Sequence, residues 1–491
     1  MVRLSETMKD ILALGTGLLV LVIFSVWHPT GDFVSSPSYW GDEAVGVEKA
    51  RNFLTYGRLD IAVAPDVLSL KPYATAAAGP LLTLPLAGFY SLFGIGLLQT
   101  RIYMLLWLIM LIGISYGLVR KLAGRRAALV SILLMATFSP LYANGKTATG
   151  DIPGFVALFL ALYYLYARQW YVFGGVLLGI ATTTKPSLYL PLVAVALIEI
   201  VLFRRGTRLK HCAAIVGGSL LILIPWMVSL VPRPDAYGSW REVYTFFKNP
   251  FPADALRVVD AVMMGDMTML LHSTIAHYAL LGCIAASAAW YTRARDDPWM
   301  RFVRFGVLYA LAAFVLYLRS PGWIRYLIAG SFFLFSIFLP SLEVLLRERA
   351  WRHIFPLWTG GAIAVTLIAL QAVHFIFFSW RTVSDAPIQD SAMVRQLVGL
   401  GETIGFMDVP TLASLVDSKQ KYQVVRISGN TVLGKSPLAY DIENLPTYIF
   451  ISANKFRKGE NEFVAPYTHV LDRQYEKMTL STNRYTIYKK K

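Results

Sequence analysis

Apolar runs recur along the chain between short polar or basic loops, at 11–27, 101–118, 127–142, 152–166, 171–183, 186–203, 212–231, 271–291, 302–318, 324–346 and 354–380. Most have about the 17–25 residues that carry a helix across ~30 Å of hydrocarbon, where each backbone N–H and C=O must bond within its own segment. The pattern predicts a polytopic α-helical membrane protein with about eleven transmembrane helices. A further apolar run, 79–98, is interrupted by Gly79, Pro80, Pro85, Gly88, Gly94 and Gly96, and so suits a broken helix better than a straight span. After residue 380 the pattern changes. A helical period covers Ser391–Ile404, and strand-like alternation follows at Tyr422–Ile427, Tyr448–Ile451 and Tyr485–Tyr488. Residues 1–380 are therefore expected to form a transmembrane domain and 381–491 a small C-terminal α/β domain.

Composition agrees with this reading. Of 491 residues, 56% are hydrophobic and 15% charged, with a mean hydropathy of +0.52, which excludes an ordinary soluble chain. The net charge of +16 lies largely in short clusters: Arg120, Lys121, Arg125 and Arg126; Arg204, Arg205, Arg208 and Lys210; Arg293, Arg295, Arg301 and Arg304; Arg347, Arg349 and Arg352. No basic stretch interleaved with aromatics suggests nucleic-acid binding. The positive-inside rule puts all four clusters on the cytoplasmic side. If 79–98 crossed the membrane, every later cluster would flip, so parity lays that run along the interface. Residues 28–100, 143–151, 184–186, 232–270, 319–323 and the tail then face outward. The first run lacks a small-residue cleavage site and reads as an uncleaved signal anchor. Cys212 and Cys283 have no metal-ligand spacing and read as packing residues.

On that topology the informative polar residues gather at the outer surface. Asp42 and Glu43 follow Tyr39-Trp40-Gly41 just past the first span, Lys71 comes later in the same loop, and Asp151 opens the helix after the second loop. Lys185 lies in the turn Thr182-Thr183-Thr184-Lys185-Pro186, and Arg319, Arg325 and Tyr326 flank the turn Ser320-Pro321-Gly322-Trp323. Carboxylates and cations at one water–lipid boundary suit an enzyme whose substrate has an anionic headgroup and a lipid tail. Transfer of a group from a lipid phosphate needs a base for the acceptor hydroxyl and fixed cations for the departing phosphate. Simpler roles exist: the acid pair can sit at a helix N-terminus, Asp151 can be an N-cap, and the lysines can meet lipid headgroups. His272 and His277 are not at i, i+4 spacing, and Asp254, Asp260 and Asp266 make no recognised ligand set. Trp226, Trp240, Trp323 and Trp380 fall at expected outer borders.

Trp40-Gly41-Asp42-Glu43 resembles the Asp-Glu motif of the GT-C glycosyltransferases that use polyprenyl-phosphate sugars, such as protein O-mannosyltransferases and lipid A aminoarabinose transferases. Ser139-Pro140-Leu141-Tyr142 with Asp151-Ile152-Pro153-Gly154 is similar to that family's second acidic position. Leu70-Lys71-Pro72-Tyr73, the turn at Lys185 and Trp323-Ile324-Arg325-Tyr326-Leu327 resemble its Lys-Pro, Lys-containing and Arg-Tyr segments. Tyr73 stands where the family commonly has a second proline. The resemblance covers roughly 11–345 and implies a GT-C-like fold with juxtamembrane helices in the first outer loop. It implies Asp42 as the acceptor-side base, with Glu43 and Asp151 shaping the acceptor site. It further implies Lys71, Tyr73, Lys185, Arg325 and Tyr326 as donor contacts. The expected partners are a polyprenyl-phosphate sugar, a lipid, glycan or protein acceptor, and membrane lipid. No cofactor or metal ligand set is firmly implied, although a divalent metal would fit an oligosaccharyltransferase. The expected location is the bacterial plasma membrane, with the site on the extracytoplasmic face. The alternatives are such an oligosaccharyltransferase, or a secondary transporter or lipid-carrier flippase. A transporter would place ionisable groups deep within spans, where this chain has Glu199, His374 and little else.

Overall fold

The structure is a computed structural model. It describes residues 5–27, 32–69, 71–76, 78–189, 191–203, 208–231, 241, 243–244, 268–292, 295, 297–319, 324–347, 358–378, 384–399, 401–416, 419–427, 431–439, 445–452, 464–478 and 485–491. Asp254, Asp260, Asp266, Trp240, Trp380, the turn 320–323 and the side chains of His272 and Arg319 lie outside the described residues.

Ahead of the tail the helices are α1 (Glu6–Val26), α2 (Gly41–Tyr56), α3 (Pro72–Thr75), α4 (Pro80–Phe93), α5 (Leu97–Ala123), α6 (Arg125–Ala136), α7 (Ser139–Gly145), α8 (Asp151–Leu162), α9 (Tyr171–Thr184), α10 (Pro186–Tyr189), α11 (Pro191–Phe203), α12 (Arg208–Ser229), α13 (Thr268–Tyr291), α14 (Pro298–Arg319), α15 (Arg325–Leu346) and α16 (Thr359–Phe378). Among the described residues, seven helical stretches are long and apolar enough to cross a membrane, and the pair α6–α7, bent by 62° ahead of Pro140, makes an eighth. The chain is an integral membrane protein. The expected count of eleven is not reached by length and composition: the 152–166 and 171–183 runs form helices of only 12 and 14 residues, and α13 is not among the stretches that qualify.

Charge pairing places the start of α1 on the same side as the basic end of α5. Asp10 accepts from Arg120 Nε at 2.9 Å and from the Tyr116 hydroxyl at 2.7 Å, and Arg125 Nη1 reaches Glu6 at 2.7 Å. The start of α1 therefore lies beside the basic end of α5. α1 leaves the basic face and α5 returns to it, so an odd number of crossings between them is excluded. α4, with 14 residues, is consequently not a span by itself; it contains Pro85 and ends at Gly94, whose φ is +83°. Its length of ~21 Å also falls short of the hydrocarbon.

Glu199 is buried against Arg304, with Nη2–Oε1 at 3.5 Å. Arg304 also donates to the Arg295 carbonyl at 2.9 Å and lies 5.0 Å from the Phe203 ring. The interior acid that a transporter would require is thus matched by a cation from the third basic cluster. At the bundle centre α15 is almost wholly buried, and Phe333 meets Phe155, Phe159, Phe305 and Tyr309 at centroid distances of 5.1–5.5 Å. Such aromatic pairs contribute ~0.5–1.5 kcal/mol each beyond area burial, and they fix the helix that begins at Arg325. Cys212 and Cys283 are free thiols; Cys283 is exposed rather than packed.

The chain forms two compact units. Met1–Pro37, Arg101–Met227 and Phe251–Val383 make one; Ser38–Thr100, Val228–Pro250 and Ser384–Lys491 make the other. The second unit holds a short hairpin, β1 (Ala62–Ala64) with β2 (Val67–Leu68), and a six-stranded mixed sheet. The sheet's strands are β3 (Ile404–Met407), β4 (Lys421–Ile427), β5 (Thr431–Leu433), β6 (Tyr448–Ser452), β7 (Tyr475–Lys477) and β8 (Tyr485–Lys490), in the order β5-β4-β3-β6-β8-β7. β3 runs parallel to β4 and β6, with Ile404 opposite Lys421 and Tyr448. Phe406, Phe450 and Ile487 pack on one face with Val394 of α17 (Ala386–Leu397) and Leu412 of α18 (Pro410–Leu415). Met407, Ile449 and Ile451 pack on the other with Leu471 of α19 (Thr468–Gln474).

One boundary differs from the sequence reading. The helix expected over Ser391–Ile404 is α17, which ends at Leu397, and Ile404 opens β3 instead. Gly401, with φ +90°, separates the two. All four β3 residues are buried, so the strand shows no alternation for a sequence reading to find.

Candidate functional site

In the second unit Asp42 and Glu43 occupy the first turn of α2, where the helix dipole favours carboxylate charge. Asp42 is half-buried and Glu43 fully buried. The approach to this turn is fixed by Tyr39, whose hydroxyl shares a 2.7 Å hydrogen bond with Ser414 Oγ. Burial, and then the charge of Glu43, push the Tyr39 phenol well above its usual range. Arg51, three turns into α2, donates to the Ser414 carbonyl at 2.5 Å. Lys71 precedes α3, which starts at Pro72, and Tyr73 is buried within it.

Lys49 joins the acid-bearing helix to this Lys-Pro segment. Its Nζ donates to the Thr75 carbonyl at 2.8 Å and to the Ala78 carbonyl at 2.6 Å. Burial pulls the Lys49 ammonium down to about 8, against an opposing pull from Asp60. Its folded pKa is thus below the unfolded one, so between about pH 8 and 10.5 the unfolded chain binds more protons. This group then adds stability as pH rises through that window. The melting temperature of the wild type is expected to rise relative to Lys49→Met from pH 8 to 10.5; a constant difference would show that Lys49 keeps an ordinary pKa.

In the first unit Asp151 starts α8 after Gly150, which has φ +85°, and accepts from Thr149 Oγ1 at 3.2 Å. Tyr189 donates its hydroxyl to the Asp151 carbonyl at 2.5 Å. Gly150 lies so near the end of α9 that a Cβ there would stand 2.8 Å from the Thr184 carbonyl oxygen. This close approach sets Asp151 beside the turn that carries Lys185, and both side chains are buried. Arg325 and Tyr326 open α15, also buried, with the guanidinium 5.6 Å from the Tyr326 ring. Tyr326 lies within electrostatic reach of both Arg325 and Asp151. Asp151, Lys185, Arg325 and Tyr326 are thus all buried in this unit, the Gly150–Thr184 approach linking Asp151 to the turn of Lys185 and Tyr326 linking it to Arg325. Gly150→Ala is expected to cost ~1–3 kcal/mol through its strained backbone and the clash with Thr184. A melting temperature equal to wild type would show that the turn relaxes.

The sequence reading missed Arg101, seeing only the start of a span. It is fully buried and donates from Nη1 to the Lys146 carbonyl at 2.8 Å, from Nη2 to the Pro37 carbonyl at 2.9 Å and from Nε to the Val34 carbonyl at 3.3 Å. Lys146 in turn donates to the Ser25 carbonyl at 2.9 Å and lies 4.5 Å from the Phe33 ring. The two cations tie the chain ahead of Ser38 to the turn ahead of Asp151. A charged residue at the outer end of an apolar helix was the available signal. Among the described residues, no group of three or more His, Cys, Asp or Glu could hold a metal ion.

Residues 77–231 match the family described as dolichyl-phosphate-mannose-protein mannosyltransferase. ArnT from Cupriavidus metallidurans bound to undecaprenyl phosphate is similar in structure, with a TM-score of 0.63 at 15% identity over 99% of this chain and 98% of that one. Its apo form gives the same TM-score and identity over 98% of each chain. The apo oligosaccharyltransferase from Archaeoglobus fulgidus has a TM-score of 0.55 at 14% identity over 91% of this chain and 70% of that one. No curated protein matches the chain in sequence. The resemblance to the GT-C glycosyltransferases is borne out, and the chain has the GT-C fold.

Proposed function

We propose that this protein is a membrane glycosyltransferase that moves a sugar from a polyprenyl-phosphate donor to a lipid, glycan or protein acceptor at the extracytoplasmic face of a bacterial plasma membrane. The observation that carries this reading is that two cations, Lys185 and Arg325, are buried in the unit that holds Asp151, with Lys185 in the turn beside it. A desolvated pair of cations is what a departing lipid phosphate needs. Asp42 acts as the base that takes the acceptor hydroxyl's proton, and the sugar carbon inverts. Glu43 and Asp151 shape the acceptor site, and Lys71, Tyr73 and Tyr326 complete the donor contacts. In this reading the membrane domain spans 1–380 with eleven crossings, α8, α9 and α13 joining the eight stretches that qualify by length. The 381–491 segment stands outside the membrane and helps present the acceptor.

The test uses purified protein, an acceptor lipid extract, and donors carrying one labelled sugar on either polyprenyl phosphate or polyprenyl pyrophosphate, with and without a chelator. Transfer from the phosphate donor that survives the chelator is expected. Transfer from the pyrophosphate donor alone, abolished by the chelator, would replace this reading with the metal-dependent one.

A further inference from the structure

We propose that the basic face of the membrane unit holds an anionic phospholipid of its own leaflet, in a groove between α1, α5 and the end of α8. This site is separate from the residues around Asp151 and does not depend on the proposed activity. The groove has a volume of about 680 Å³ and is lined by Asp10, Gly117, Arg120, Lys121, Leu160 and Tyr163, among others. That volume is within the ~300–1,000 Å³ of typical small-molecule sites.

The lining is ordered the way a lipid is. α5 runs toward the basic face, so its groove residues pass from Ile114 through Gly117 and Leu118 to Arg120 and Lys121 over roughly 10 Å. Hydrocarbon therefore lines the inner part and cations the rim. Asp10 binds Arg120 at 2.9 Å and takes up its charge. Lys121 is exposed, and no described residue forms an ion pair with it.

A second cation comes from the π-helical turn Tyr163–Arg168 that follows α8. Five residues along an α-helix, two side chains diverge; the wider π turn brings Arg168 over the Tyr163 ring at 5.7 Å, with Nε donating to the Tyr163 hydroxyl at 3.2 Å. Lys121 and the Arg168–Tyr163 pair leave net positive charge at the mouth, enough for one phosphate. Trp170 is 61% exposed and stacks on Tyr164 at 5.6 Å, as aromatic residues do at the headgroup level. Basic pockets between helices on this side of a membrane fit anionic headgroups. A free anion would leave the Ile114–Leu118 wall unmatched, which favours a lipid over soluble phosphate.

Native mass spectrometry of the detergent-purified full chain tests this with phosphatidylglycerol, phosphatidylcholine and inorganic phosphate as probes. Retention of phosphatidylglycerol about fivefold or more above phosphatidylcholine is expected, with no displacement by millimolar phosphate. Lys121→Ala should reduce retention about fivefold, as expected for one cation near a membrane surface. Gly117→Leu should reduce it at least as much by filling the groove, since a Cβ at Gly117 meets nothing within 4 Å and the fold has no reason to change. Equal retention of the two lipids, displacement by phosphate, or retention unchanged in both variants would each overturn the proposal. Melting curves of the variants establish that they are folded before they are compared.

Discussion

Asp42→Asn is expected to lower sugar transfer by ~10²–10⁴, the usual effect of losing a positioned base, with the fold left intact. The substitution is close to isosteric. Asp42 is half-buried in the first turn of α2, where its charge has a favourable dipole interaction of ~0.3–1 kcal/mol. The structure around it is held by other groups: Tyr39 on Ser414, Arg51 on the Ser414 carbonyl and Lys49 on Thr75 and Ala78. The loss should therefore fall on turnover and not on donor affinity. Glu43→Gln is the control for position. Glu43 is completely buried one residue later, so its substitution should register first in the melting temperature. Turnover of Asp42→Asn equal to wild type would remove Asp42 from the chemistry and leave its carboxylate a helix-terminal charge.

What the sequence could show was local. Hydrophobic runs located the membrane helices because a span must satisfy its backbone internally, and that demand is written in consecutive residues. Strands β4, β6 and β8 were legible from their alternation, whereas β5 and β7, three residues each, were too short to carry it. The turn residues Asp151 and Lys185 could be picked out as charges at helix ends. Their proximity depends on Gly150, whose importance comes from a carbonyl 34 residues away at Thr184. Partners distant in the chain were not legible at all. Gln423 donates to Glu48 across 375 residues at 2.8 Å, and no periodicity links β4 of the tail to α2 of the first loop. The tail sheet and the first loop consequently read as separate segments, although they share a compact unit in the structure. Glu48, Lys49 and Asn52 are buried polar residues whose partners lie elsewhere in the chain, so no local pattern marks them.

Breaking one half of the Glu48–Lys421 pair is expected to destabilise the second unit by ~3–5 kcal/mol. Lys421 Nζ lies 3.0 Å from Glu48 Oε1, with side-chain exposures of 6% and 3%. Lys421 also donates to the Ala413 carbonyl at 3.1 Å, while Gln423 bridges Glu48 to the Ala62 carbonyl. One network therefore joins α2, the β1–β2 hairpin, α18 and β4. Lys421→Met keeps the volume but leaves the Glu48 charge buried opposite hydrocarbon, and desolvation then goes uncompensated. For a unit of this size the melting temperature should drop by ~6–20 °C. Glu48→Met combined with Lys421→Met should recover most of that loss, since a buried ion pair replaced as a whole by apolar groups is often neutral or better. The sign of this coupling separates two accounts of the join. If the double variant is as unstable as the sum of the singles, the unit is held by the hydrogen bonds to Ala413, Gln423 and Ala62 and not by charge neutralisation. If both singles stay within ~0.5 kcal/mol of wild type, water reaches the pair and α2 is held by Tyr39, Arg51 and its apolar contacts instead. In the expected case α2 depends on a cation supplied by the tail, and tail variants that remove the cation opposite Glu48 should lower transfer with no change at Asp42 itself.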